Sequence, residues 1–280
     1  MSRGKAVFFL VISAFLWGTS FPLIKVAMEK VSPVELFFLR FLFTGLAVLP
    51  LLRRSFFSKE LALLGLFNSS AFLIQFVGQK YTTATEATLI TLGILPLVAL
   101  LSFFIGEDLD FRKALASFLT LSGAFVITTR LNISHLKFSS IKGNLLIFLA
   151  TFLWAIFTVI SRKIQREGGT EGTTWAILFW TGVFSLPSLA FGELNWSLYA
   201  VLIALILAAL PTLLAFYLFL EAMKVVDATT SEIIITLQLL FSMIPSVILL
   251  GERITLSVGL GTVLILSSIF LVAKESPREN

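Results

Sequence analysis

The sequence predicts an all-α membrane protein: ten transmembrane helices in two inverted five-helix repeats. Three observations predict it. Apolar residues make up 58% of the 280-residue chain and charged residues 13%, against about 45–50% and about 25% in soluble domains. Long uncharged runs follow one another from end to end, and a bilayer span needs about 20 such residues. One hydrophobic pattern also recurs. Ala14-Phe15-Leu16-Trp17 returns as Thr151-Phe152-Leu153-Trp154, an offset of 137, and Gly106-Glu107 returns as Gly251-Glu252, an offset of 145. Each half holds five spans. Five is odd, so the second half must cross the membrane upside down relative to the first.

The expected spans are 5–27, 34–52, 60–79, 84–105, 112–129, 143–162, 173–192, 197–223, 228–250 and 256–273. They divide the chain into a first repeat (1–130), a connecting loop (131–142), a second repeat (143–273) and a short tail (274–280). Helices are required because each must satisfy its own backbone hydrogen bonds in lipid, and barrel strands would alternate polar and apolar residues, which these runs do not. The run Ala6–Ala27 is too long for a signal-peptide core and lacks a clear cleavage site, so it is span 1. Most loops are very short, which makes consecutive helices antiparallel neighbours.

Taken in order, the spans carry sparse polar side chains at helical spacing. Span 1 aligns Ser13, Trp17 and Ser20, and span 2 carries Arg40 about two turns deep. Span 3 aligns Asn68, Gln75 and Gln79 with Phe72, and span 4 has Glu86, Gly93 and Leu97 on one face. Span 5 follows Asp110, a candidate N-cap, and repeats Ala116, Thr120 and Ala124 every four residues. Span 6 aligns Trp154, Thr158 and Ser161. Span 8 aligns Tyr217, Glu221 and Lys224, and span 9 aligns Ser231, Gln238 and Ser242, with Glu232 in its first turns. Span 10 follows Thr255, a second candidate N-cap, and carries Ser257 and Gly261. The small-residue faces of spans 5 and 10 suit close helix packing, within one chain or across a homodimer.

Orientation follows from charge. Ten spans put both termini on one side. That side collects Arg3, Lys5, Arg53, Arg54, Lys59, Arg112, Lys113, Arg162, Lys163, Arg166, Lys224, Lys274 and Arg278. Lys and Arg in excess mark the cytoplasm, so both termini are expected there. The connecting loop, with its Asn132-Ile133-Ser134 glycosylation triplet and His135, is expected outside.

Several function classes are excluded or disfavoured. The net charge of +5 is spread over short loops with no basic stripe, so no nucleic-acid partner is expected. No cysteine is present, which rules out disulfides, thiolate metal sites and a cysteine nucleophile. One histidine and no motif around Asp108, Asp110 or Asp227 argue against a polytopic membrane enzyme, and no cofactor is implied. No G-x-x-x-x-G-K-[ST] motif occurs, so this chain alone does not drive primary active transport.

The chain resembles the EamA family of the drug/metabolite transporter superfamily. The resemblance rests on Trp17-Gly18-Thr19-Ser20-Phe21, Arg40-Phe41, Ala84, Pro96 and Gly106-Glu107 in the first half. In the second half it rests on Trp154, Ala228, Gly251-Glu252, Gly259 and Gly261. It covers essentially the whole chain. It implies a central cavity walled by spans 1, 3, 4, 6, 8 and 9, with spans 5 and 10 peripheral, and export of amino acids, other metabolites or toxic compounds. One departure stands out. Pro96 has Phe241 as its counterpart, with Pro245 one turn later, so the bend of span 9 is expected to be displaced.

The expected function is that of a secondary transporter moving a small organic metabolite, such as an amino acid, across the cytoplasmic membrane by alternating access. Inverted repeats around a midplane site are the architecture of such proteins. A lipid or lipid-linked-sugar flippase on the same scaffold is the alternative. The expected cavity residues are Trp17, Ser20, Asn68, Gln75, Gln79, Trp154, Thr158, Tyr217, Gln238 and Ser242, although amides and hydroxyls also glue membrane helices together. Arg40, Glu86, Glu221 and Glu232 are candidates for gating or ion coupling. Arg40 lies too deep to face lipid and is expected to pair with Glu86 or Glu35. For Lys224 and Glu232, complementing the helix dipole is the plainer reading.

Overall fold

The computed structural model describes residues 1–82, 87, 90–129, 131–132, 140–169, 171–191, 194–250 and 255–273. Among them, nine helices are long and apolar enough to cross a membrane, and Ile94–Ile105 is a shorter apolar helix. The protein is an all-helical membrane protein of ten spans. Spans 1 to 7 contain α1 (Arg3–Ala27), α2 (Pro33–Val48), α3 (Lys59–Gln79), α4 (Ile94–Ser102), α5 (Phe111–Thr129), α6 (Ile141–Arg166) and α7 (Glu171–Ser185). Span 8 contains α8 (Leu198–Ala208) and α9 (Ala215–Ala222), span 9 contains α10 (Ala228–Ile235) and α11 (Leu237–Leu250), and span 10 is α12 (Leu256–Ala273). Ser2, Ser32, Ser58, Ser140, Ser197 and Asp227 each accept a hydrogen bond from a first-turn amide. Such caps fix where the helices begin, because the first amides of a helix have no intrahelical acceptor. Asp110 does the same for α5, accepting from the Lys113 amide at 2.9 Å.

The two halves interlock. α1 packs on α11 and α9, while α6 packs on α4 and α3; α2 packs on α7, and α5 on α12. At two of these junctions, and between the rings of α1 and α6, residues 137 or 138 apart in sequence meet each other. The Trp17 and Trp154 rings are 5.7 Å apart, edge to face. A Cβ on Gly182 would lie 2.9 Å from Phe41 O and 3.0 Å from Gly45 Cα. A Cβ on Gly261 would lie 2.4 Å from Gly123 O. Only glycine permits these backbone approaches. Ala116, Thr120, Ala124 and Ser257 are buried in the α5–α12 junction, where Thr120 and Ser268 hydroxyls meet at 2.7 Å. The small-residue faces are thus used within one chain. Arg3 donates to Val272 O at 2.9 Å, which holds the start of α1 beside the end of α12.

Three spans are interrupted midway. In span 4, Leu92 and Gly93 form a turn before α4, and Leu95 N bonds to Leu92 O at 3.2 Å. Pro96 supplies the reason, because it has no N–H to return to Leu92 O. In span 9 the interruption is at Thr236, whose hydroxyl bonds back to Glu232 O at 3.0 Å. Such back-bonding bends helices. The displaced bend expected at Pro245 is therefore corrected: Pro245 sits inside an unbroken α11, and the interruption falls at Thr236, which is 144 residues beyond Leu92. Span 8 widens into a π segment at Ala209–Leu214 around Pro211. There Thr212 Oγ1 donates to Leu207 O at 2.7 Å, satisfying a carbonyl that Pro211 cannot serve.

Candidate functional site

A cavity of about 560 Å³ lies between the halves. Its size suits a small molecule, for which pockets run about 300–1,000 Å³. Spans 1, 3, 4, 6 and 9 wall it, with Arg40 entering from span 2. Trp17, Phe72 and Trp154 form its deep end, and Met28, Gln79, Thr82 and Ala87 line it towards the face opposite the termini. Gly18 lets span 1 touch span 9 beside the Thr236 interruption, since a Cβ there would sit 2.4 Å from Gln238 O.

The structure brings seven of the expected cavity residues together: Trp17, Ser20, Gln75, Gln79, Trp154, Gln238 and Ser242 all line the space. The serines bond back to their own helices, Ser20 Oγ to Trp17 O and Ser242 Oγ to Leu239 O, both at 2.7 Å. The amides of Gln75, Gln79 and Gln238 have no protein partner among the described residues and are not sealed from the cavity. An amide that glues two helices would be bonded across them, so these three are available to a solute.

The remaining expected cavity residues sit elsewhere. Asn68 is buried two turns closer to the closed end, where α3 lies on α7, and donates to Thr181 Oγ1 at 3.0 Å. Gly65 on the same face makes that packing close, with a would-be Cβ 2.3 Å from Trp180 Cβ. Tyr217 faces α7, its ring stacked on Trp175 at 5.4 Å. Thr158 lies behind the cavity wall and donates to Glu232 Oε1 at 2.8 Å.

The charged candidates also separate. Arg40 is 2% exposed. Its Nε donates to Thr212 Oγ1 at 2.7 Å and Nη2 reaches Pro211 O at 3.4 Å, while the guanidinium lies 5.0 Å from the Phe72 ring centre. The expected Glu35 partner is corrected. Glu35 Oε1 accepts the Asn195 and Trp196 amides, both at 3.1 Å, and Arg40 takes the oxygens of the π segment instead. Glu86 lies outside the described residues. Glu221 pairs with Lys224 at 2.5 Å near the termini face and does not border the cavity. Glu232 does border it. Its Oε1 accepts from Trp154 Nε1 at 3.2 Å and from Thr158 Oγ1, so it serves as more than a complement to its helix dipole.

Towards the termini the space is shut. Trp17 and Trp154 pack on Phe216 and Phe219, with Phe157 beside them. Beyond these rings lies a layer of charge. Arg162 Nε meets Glu107 Oε1 at 2.6 Å, and Arg162 Nη1 bonds to Met223 O. Glu107 Oε2 accepts the Ala228 amide at 2.9 Å, and Lys113 meets Asp227 at 3.4 Å. Each of these contacts joins the first half to the second or the end of span 6 to the span 8–9 turn. Sequence spacing assigns no role to Glu107 beyond its recurrence and does not single out Pro211-Thr212. A proline followed by threonine in mid-span was the available signal for the latter.

A solved structure matches 98% of this chain and 99% of its own at 20% identity, with a TM-score of 0.81. An uncharacterized transporter of Archaeoglobus fulgidus is 27% identical over 289 residues, 96% of this chain and 97% of its own. The uncharacterized inner membrane transporter YicL of Salmonella typhimurium is 27% identical over 99% of this chain and 98% of its own. The family model for EamA-like transporters matches twice, over residues 4–129 and 141–274. With both halves matched and a cavity between them, the chain belongs to the EamA-like transporter family.

Proposed function

We propose that this membrane transporter is a secondary exporter. It carries a small organic metabolite such as an amino acid across the cytoplasmic membrane, with both termini in the cytoplasm, by alternating access between inverted repeats. The observation that carries the reading is one cavity, walled by both halves, that runs towards one face and is shut at the other by rings and cross-half ion pairs. Its free glutamine amides would exchange water for the polar groups of a solute. The self-meeting pairs Trp17–Trp154 and Gly45–Gly182 support the repeat reading, since equivalent residues meet at a two-fold axis. The excess of Lys and Arg on the termini side supports the orientation. The broken spans 4 and 9 fit the pattern of transporter sites formed at discontinuous helices.

Purified protein in liposomes tests the proposal. Counterflow of radiolabelled amino acids from a panel is expected for at least one of them and absent from protein-free vesicles. Movement of fluorescent phospholipid between leaflets, with no amino-acid flux, would favour the flippase reading.

A further inference from the structure

Two charged side chains face the cavity with bonding capacity unused. Glu232 is 3% exposed. Its Oε1 is filled by Trp154 and Thr158, while Oε2 has no donor among the described residues and is not sealed in. Arg40 Nε and Nη2 are engaged with Thr212 and Pro211, while Nη1 has no acceptor among the described residues and is likewise open. Neither group has an oppositely charged partner among the described residues, and they do not pair with each other. Both are held in place by their engaged atoms. Trp17, Phe72 and Trp154 line the space with them, offering apolar contact and ring faces that attract cations.

We propose that Glu232 receives a protonated amine of the solute and Arg40 receives its carboxylate, so that the cavity selects molecules carrying both charges. This rests on the transport reading above and names its substrate class. A solute with both groups satisfies both buried charges. One with a single charge leaves the other orphaned in a low-dielectric space, and a site built to bond a polar group rejects an analogue that lacks it. The guanidinium presents a planar fork suited to a carboxylate. The carboxylate of Glu232, anchored through one oxygen, presents the other to an ammonium.

The test uses full-length protein in nanodiscs and three probes with one side chain. L-leucine carries both charges, 3-methylbutylamine the ammonium alone, and 4-methylpentanoate the carboxylate alone. Binding is read by quenching of tryptophan fluorescence, since Trp17 and Trp154 line the cavity. Leucine is expected to bind at least about tenfold more tightly than either analogue, as charged hydrogen bonds permit. Glu232→Gln should weaken leucine and the amine by about tenfold or more and leave the acid unchanged. Unchanged melting of the variant shows that it is folded, and Glu232→Asp should recover part of the amine binding. The proposal is overturned if leucine binds no better than its analogues, or if Glu232→Gln weakens the acid as much as the amine. Leucine binding without flux in liposomes would remove the transport reading and keep the site. Flux of amino acids with no such charge dependence would do the reverse.

Discussion

Replacing Glu107 by alanine should open the end of the cavity that the structure shows closed. The Glu107 and Arg162 side chains are 7% and 10% exposed, so solvent screens them little. Removing Glu107 deletes the 2.6 Å contact to Arg162 and the 2.9 Å bond from the Ala228 amide. It leaves a guanidinium whose other bond is to Met223 O. Breaking a buried pair by removing one partner costs about 3–5 kcal/mol. If the pair forms only when this end is shut, that cost falls on the shut state alone. At 1.4 kcal/mol per tenfold, even about 3 kcal/mol shifts the equilibrium by roughly a hundredfold. The chain has no cysteine, so single cysteines report cleanly. Ser161 is 1% exposed beside Arg162, and Ser161→Cys should react with an impermeant thiol reagent applied from the termini side. Its rate should rise by about tenfold to a hundredfold in Glu107→Ala, while Gln79→Cys, at the open end, should react more slowly from the opposite side. A charge exchange, Glu107→Arg with Arg162→Glu, should restore part of the closure. Unchanged rates at both cysteines, in a variant that melts like the parent, would refute a role for the pair in closing the cavity.

Other consequences are as direct. Gln238→Leu removes a free amide from the cavity and should lower the apparent affinity of counterflow by a factor equivalent to about 1–3 kcal/mol, with membrane insertion unchanged; full activity on every solute would place the amide outside the binding surface. Thr212→Val removes both the acceptor for Arg40 Nε and the donor to Leu207 O; a loss of about 1–3 kcal/mol in stability is expected, read as a lower melting temperature in detergent. Gly261→Leu forces a side chain into Gly123 O and Ile127; overpacking of this kind costs about 1–3 kcal/mol, and a variant that melts unchanged would mean that α5 and α12 separate at no cost.

The spans were legible because lipid leaves a helix little freedom: a long uncharged run must cross, and short loops make neighbours antiparallel. The cavity face of span 3 was legible in part. Helical spacing put Asn68, Gln75 and Gln79 in one stripe, but spacing does not say how deep the cavity reaches, and Asn68 lies below its floor against Thr181. The depth of Arg40 required a partner inside the bundle, and among the described residues it finds the Thr212 hydroxyl and the Pro211 carbonyl of the span 8 π segment rather than Glu35. The sequence named charges and hid carbonyls, since every residue carries a carbonyl and only geometry frees one. Glu232 was obscured for a related reason. Its place in the first turns of span 9 has a sufficient local explanation in the helix dipole. What distinguishes it is Trp154 and Thr158, 78 and 74 residues away, and that proximity is tertiary.

The interruptions of spans 4 and 9 lie between the cavity and the charge layer that closes it. Glu107 follows the closed end of span 4, and the Ala228 amide opens span 9 at the same end. The turns at Leu92–Gly93 and Thr236 divide those spans into a segment on the cavity side and a segment on the closed side. Backbone hydrogen bonds are already short of ideal at both turns, so bending there breaks fewer of them than bending an intact helix would. Glu232 sits one turn before the second interruption, within the segment that the Glu107 contact holds. A solute that bonds Glu232 Oε2 therefore pulls on the same helical segment that the ion pair clamps. On the proposed reading, binding and closure would act on one helical segment, and a change at either should be felt at the other.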